Sequence, residues 1–265
     1  MVDKETISNI FEKSIQIVKC HDYPKAQALL YWEKHKQDFQ TEDYGGMETE
    51  TLPSPVGVLQ RVQAKLQDNV DYTSIERGVA KCYSTNSYIP LGMMLNNIPN
   101  WEDQANDWVI SYDFGNGFAL PVLDSPNNDG NGKWVDLTMP QQSEILSTMI
   151  DKSPRVAVDT TVFRYGELPL DIGVGEHGTI KSFMSTSYNP FIAFKDIPEG
   201  GAWAQVEADK RYKMTVHVME GTKGMVLNRH TGCMDWQSEL LLDKGMKYIV
   251  LDKNDDDMTA EILLY

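Results

Sequence analysis

Trp236-Gln237-Ser238-Glu239-Leu240-Leu241-Leu242-Asp243-Lys244-Gly245 sets an amide and a carboxylate two residues apart, ahead of an apolar run that closes on a glycine turn. In an extended segment alternate side chains point the same way. Gln237 and Glu239 then leave one face, at the mouth of a strand that the leucines anchor in a core. A solvated strand edge preceded by a loop glutamine has the same pattern, so the rest of the chain has to choose between them.

Working outward, the C-terminal half is rich in strand patterns. Thr160-Thr161-Val162-Phe163-Arg164-Tyr165 is β-branched and aromatic, Lys213 to Met219 alternates, and Lys247–Leu251 and Ala260–Tyr265 follow. The first half reads as helices. Ile7, Ile10, Phe11, Ile17 and Val18 share a stripe over residues 6–20, and a second helix runs from Pro24 to about Gln37 with Ala28, Leu29 and Trp32 inward. Residues 38–53 form a polar linker around Gly45-Gly46. Ser54-Pro55 supplies a cap and a first-turn proline for a helix whose inward face is Val56, Leu59, Val62 and Leu66. Further helices cover Tyr72–Tyr83, Tyr88–Asn96 and Gln141–Lys152. Helices first and strands later predict an α+β fold.

Residues 97–140 differ, with short strand candidates at Trp108–Tyr112, Gly117–Leu120 and Lys133–Val135 around a turn at 127–132; they read as an insertion. The expected organisation is a helical extension over residues 1–52 and a domain over 53–265.

The net charge of −15 disfavours nonspecific nucleic-acid binding, because an acidic surface repels phosphate backbones. Three cysteines without metal-site spacing argue against a disulfide framework. Neither a Sec signal peptide nor a membrane span is expected, which fits a cytoplasmic enzyme or one delivered by a dedicated route. Gly173-Val174-Gly175-Glu176-His177-Gly178 matches a dinucleotide fingerprint in letters. It is followed by a strand-like stretch and not by the helix whose N-terminus would meet phosphate, so a glycine-rich surface loop is the expectation.

Three separated elements carry chemistry. Arg164 lies inside an apolar strand, where a cation is costly unless it is paired with a structural carboxylate or serves an anionic ligand. Ser185-Thr186-Ser187 places three hydroxyls before a turn, either as a cap or as a cluster holding a carboxylate and a ribose. Gln237-Ser238-Glu239 is the third. Their order resembles the R-S-E group of mono-ADP-ribosyltransferases, the exoenzyme-type bacterial toxins and related bacteriophage enzymes. Lys152-Ser153-Pro154, Met219 to Gly224 and the stretch after Glu239 are similar to the family's surroundings of these motifs, and Tyr83 to Tyr88 resembles an NAD-side helix. The sequence departs from the pattern at Phe163-Arg164-Tyr165-Gly166, one residue longer before the glycine, and lacks the arginine that usually ends that helix near Asn96; Lys195 and Arg211 are the candidate replacements.

The resemblance implies an ADP-ribosyltransferase-like fold, with N-terminal helices on a split mixed β-sheet core, and NAD as substrate. It implies that Glu239 stabilises an oxocarbenium-like transition state and that Ser185 orients it. Arg164, Ser185, Thr186, Ser187, Phe194 and Tyr83 would bind NAD, Phe194 either by stacking on nicotinamide or simply as core. Gln237 in place of a glutamate resembles enzymes that modify asparagine or glutamine side chains of small GTPases, or guanine in nucleic acid; the acidic charge disfavours the second, so a target protein is the expected partner. Water as acceptor, giving an NAD glycohydrolase, and a catalytically silent phage structural or interaction domain are the competing readings.

Overall fold

The computed structural model describes residues 23–42, 57–84, 88–97, 99, 109–113, 118–122, 134–169, 171–195, 211–228, 231 and 239–265. The expected helix over 6–20, the linker beyond Glu42 and the turn at 127–132 lie outside these residues. In chain order the elements are α1 (Tyr23–His35), β1 (Gln40–Thr41), α2 (Val58–Gln67), α3 (Ser74–Cys82) and α4 (Tyr88–Leu95). Then come β2 (Val109–Asp113), β3 (Phe118–Val122), β4 (Trp134–Leu137), α5 (Met139–Lys152), β5 (Thr160–Glu167), β6 (His177–Thr179) and β7 (Met184–Ser187). The chain ends with α6 (Pro190–Lys195), β8 (Arg211–Val218), β9 (Gly224–Leu227), β10 (Glu239–Leu242), β11 (Lys247–Asn254) and β12 (Thr259–Leu264). No helix among the described residues is long and apolar enough to cross a membrane.

Nine of these strands make one mixed sheet in the order β6-β11-β12-β8-β5-β7-β10-β9, with β1 added to β5. The β1–β5 and β12–β8 pairs are parallel and the others antiparallel. The sheet is split in the middle. β5 and β8 pair over their whole length, whereas β5 meets β7 through one residue pair, Phe163 with Ser187. Two lobes result, β6-β11-β12-β8-β5 and β7-β10-β9. This is the expected α+β class with a split mixed sheet.

Strand alternation sorts the core. Leu240 and Leu242 join Val162, Met214, Val216 and Ile262 in a cluster shared by both lobes. Leu241, Met225 and Leu227 face the helices α3, α4 and α5 through Val79, Leu91 and Met149, with Tyr72 in the same cluster. On the far side of the larger lobe, Ala28 of α1 meets Ile249 and Leu263, with Leu29 and Trp32 beside them. Strands β2, β3 and β4, which come between α4 and α5 in the chain, form a separate antiparallel sheet in the order β3-β2-β4.

Helix starts follow local chemistry. Thr73 and Glu76 form a reciprocal capping box at α3. At α5, the Thr138 N–H donates to the Gln141 side chain at 2.9 Å. α2 departs from expectation: it begins at Val58 with Gly57 as its cap, not at Ser54-Pro55. The carboxylate of Glu42 reaches in to accept from the Val58 and Gln60 N–H groups, a favourable place for a negative charge.

The face of α2 is corrected in part: Leu59 packs against the core as expected, and Val56 lies outside the described residues. Val62 and Leu66, expected inward, are 47% and 44% exposed, while Gln60, Gln63 and Gln67 are buried. The reason is an unpaired strand edge. The Gln67 amide donates to Val226 O at 3.1 Å and accepts from Val226 N at 2.7 Å, imitating the next strand beside β9. Gln63 does the same for the chain before β5, donating to Pro154 O and Arg155 O and accepting from Ala157 N. A buried main-chain group left unpaired costs about 1–3 kcal/mol. Finishing the burial of a half-exposed valine or leucine gains only about 1 kcal/mol, so the amides win the inside. Gln67→Leu, although more apolar, is therefore expected to destabilise the protein by about 2–4 kcal/mol, since both Val226 groups lose their partner. Val62→Ser should stay within about 0.5 kcal/mol. Paired denaturant melts check the contrast.

The glycine-rich stretch is a turn followed by an edge strand. Gly175, at φ +82°, closes the turn, and β6 then pairs with β11. No helix follows it, in agreement with setting the dinucleotide fingerprint aside.

Candidate active site

The candidate residues gather where the two lobes meet. Arg164 follows Phe163, the seam residue of β5, and its Nη1 donates across the seam to Ser185 O at 2.6 Å. On the other lobe, β10 runs antiparallel to β7 with Glu239 opposite Ser187. Ser185 and the Arg164 guanidinium both lie near enough to the Glu239 carboxyl to favour its charged form. Tyr83, at the C-terminal end of α3, is a near neighbour of both Glu239 and Arg164. Strands from both lobes and one helix thus converge on a single carboxylate.

The leucines make this placement rigid. Leu240, Leu241 and Leu242 are each 0% exposed and alternate between two cores, so β10 cannot slip by one residue without turning every side chain over. Thr186 Oγ1 donates to Leu240 O at 2.7 Å and holds the main chain beside Glu239. After β10, Asp243 accepts from Ser147 of α5 at 3.0 Å, and Lys244 Nζ donates to Ser143 at 2.6 Å while lying 5.2 Å from the Phe183 ring centre. Phe183 packs edge-on to Tyr83 with ring centres 6.0 Å apart. Sequence reading passed over Phe183 and Lys244; the alternation running back from Ser185 was the available signal for the former.

Burial dominates the electrostatics. Glu239 is 5% exposed, and desolvation pushes its carboxyl up to about 7, against the opposing pull of Ser185 and the Arg164 charge. Burial pulls the Arg164 guanidinium down, opposed by Tyr83 and Glu239. Burial also raises the Tyr83 phenol, and Glu239 adds to the shift. Tyr83 is therefore a neutral group at any working pH. The arrangement is a negative charge held in a dry site with one fixed cation near it, suited to stabilising positive charge that develops on a bound molecule.

Of the expected hydroxyl cluster, Ser185 is the residue that favours the charged form of the Glu239 carboxyl. Thr186 is turned to main chain as described, and the Ser187 hydroxyl accepts from Asn189 N at 3.1 Å where α6 begins. Phe194 of α6 stands edge-on to Phe163, ring centres 6.0 Å apart, beside the seam. Arg211 lies over the Tyr165 ring at 5.9 Å, with its Nε 3.6 Å from Glu167. Asn96 donates to Gly92 O at 2.8 Å and ends α4. Gln237, with Met234 and Trp236, and the side chain of Lys195 lie outside the described residues. Among the described residues no group of three or more His, Cys, Asp or Glu is placed to hold a metal ion.

Residues 171–263 match the family model described as ADP-ribosyltransferase exoenzyme. No curated protein matches the chain. Among solved structures, the Vis toxin, an ADP-ribosyltransferase from Vibrio splendidus, is 12% identical, with 78% of this chain and 81% of that one covered at a TM-score of 0.51. A C3-type protein from S. aureus, solved with NAD, is 15% identical over 78% of this chain and 94% of its own at 0.47. A C3-type ADP-ribosyltransferase from Clostridium botulinum is 14% identical over 82% and 98% at 0.47. At such identities the likeness to the Vis toxin is one of fold. The chain thus has the fold of an ADP-ribosyltransferase toxin, and its residues 171–263 are similar to the ADP-ribosyltransferase exoenzyme family.

Proposed function

We propose that this protein cleaves the bond between nicotinamide and ribose in NAD and transfers the ADP-ribose to a side chain of a target protein. The observation that carries the reading is the buried Glu239 beside Ser185, whose carbonyl accepts from Arg164 across the seam. As the glycosidic bond breaks, nicotinamide leaves with the bonding electrons and positive charge grows on the ribose, as in glycoside hydrolysis. The Glu239 carboxylate stabilises that charge more than it stabilises the bound substrate. Ser185 fixes its direction, and Arg164 holds the phosphate side of NAD. Tyr83 and Phe194 flank the bound nucleotide. The acceptor nucleophile then attacks the ribose and loses its proton. In this reading residues 53–265 are the transferase domain, 1–52 an extension and 97–140 an insertion.

Glu239 has to be ionised to act, so kcat/KM for NAD is expected to fall about tenfold per pH unit below 7 and to level off above it. A flat profile between pH 5 and 8 would contradict the assignment. Gln237 is proposed to orient an amide acceptor, because an amide both donates and accepts. Gln237→Ala should then reduce transfer to protein far more than nicotinamide release. Equal loss of both would remove Gln237 from the acceptor side.

Labelled NAD with and without cell lysate tests the whole reading, following free nicotinamide and label on macromolecules. Label on a protein band supports transfer. Nicotinamide release without label indicates water as acceptor, and neither signal from folded protein indicates a silent domain.

A further inference from the structure

The inverted helix α2 leaves an unusual surface. Val58, Val62 and Leu66 are 54%, 47% and 44% exposed, and their spacing of four puts them on one stripe about 12 Å long. Arg61 and Lys65 are exposed beside them, and α2 holds no acidic residue, in a chain with 39 acidic and 24 basic side chains. The stripe is not a packing accident of a loose helix. Gln60, Gln63 and Gln67 are buried on the opposite side, Gln63 and Gln67 through side-chain bonds to main chain, and Glu42 fastens the first turn. The bonds of the polar face hold the aliphatic face outward.

We infer that this stripe is a docking surface for an acidic amphipathic helix of a partner protein, its aliphatic residues set against Val58, Val62 and Leu66 and its carboxylates beside Arg61 and Lys65. The repeat of four matches the anchor spacing of a helix laid along another surface, and the two cations complement acidic flanks. A second copy of this chain fits less well. A two-fold contact would set Arg61 and Lys65 against their own copies, and three half-exposed side chains fall far short of the roughly 800 Å² per partner that a stable dimer buries. The inference does not depend on the chemistry assigned to the cleft.

The test uses the full chain and two labelled synthetic helices with leucines at every fourth position, one flanked by glutamates and one by lysines. By fluorescence anisotropy at low salt the glutamate helix should bind at least tenfold more tightly, with the gap closing as salt rises. Val62→Ser with Leu66→Ser should weaken it at least tenfold, and Arg61→Glu with Lys65→Glu should reverse the preference. NAD cleavage should be unchanged in all variants. Equal binding of the two helices, or no effect of the substitutions, overturns the proposal. So does concentration-dependent dimerisation lost in the serine variant, which would make the occupant a second copy. Preferential binding to phosphatidylserine vesicles would make it a membrane, and slow thiol labelling of Val62→Cys in the free monomer would show that the chain covers the stripe itself.

Discussion

Glu239→Gln is expected to lower NAD cleavage by about 10²–10³-fold and, at the same time, to make the protein more stable above pH 7. The activity loss follows from removing the charge that favours the transition state while keeping the shape. The stability gain follows from linkage. The carboxyl of Glu239 titrates near 7 in the folded protein against an ordinary value of 4.5. Below pH 4.5 it is protonated in both states and costs nothing. Between 4.5 and 7 the unfolded chain gives up the proton first, and folded stability is lost progressively. Above 7 the folded protein carries a buried charge at a cost of roughly 3 kcal/mol. The neutral amide avoids that cost, so its melting temperature should exceed that of the parent by several degrees at pH 8. The difference should vanish near pH 4. A calorimetric series over pH decides this, and equal melting temperatures at pH 8 would mean that Glu239 is not held in a dry site.

Arg164→Ala is expected to damage the site from the other lobe. It removes the hydrogen bond to Ser185 O and the cation that opposes the rise of the Glu239 carboxyl. NAD should bind more weakly and kcat should fall, together by about 10²-fold or more. The acidic limb of the pH profile should move to higher pH. Arg164→Lys retains charge but loses the planar fork, and it should fall between parent and alanine. An alanine variant with lower activity but an unmoved limb would show that Arg164 serves the substrate alone and does not tune Glu239.

Much of this was legible in the sequence because it is local. The leucines after Glu239 announce a buried strand, and a buried strand with a carboxylate at its mouth aims that carboxylate. Arg164 stands out because a cation in a β-branched run demands an explanation. What escaped was non-local. The orientation of α2 rests on Gln67 meeting Val226, 159 residues away, and no periodicity within the helix can report a vacant strand edge elsewhere. The short strands β1, β6 and β9 escaped for the same reason, since two to four residues carry little pattern and are made strands by their neighbours. The three hydroxyls of Ser185-Thr186-Ser187 look equivalent in sequence; only pairing with β10 separates the one that meets Glu239 from the one that braces its backbone.

The single Phe163–Ser187 pair that joins the two lobes has a consequence for how this protein would fail. The carboxylate rides on one lobe and the guanidinium on the other, so their registration rests on that one ladder pair and on the apolar cluster of Leu240, Leu242 and Val162 that the lobes share. Mild heat or denaturant that lets the lobes part by an ångström or two would uncouple Arg164 from Ser185 long before either lobe melts. Inactivation should run ahead of unfolding, and should reverse on cooling, because each half keeps its own hydrogen-bonded ladder as a template for re-closure.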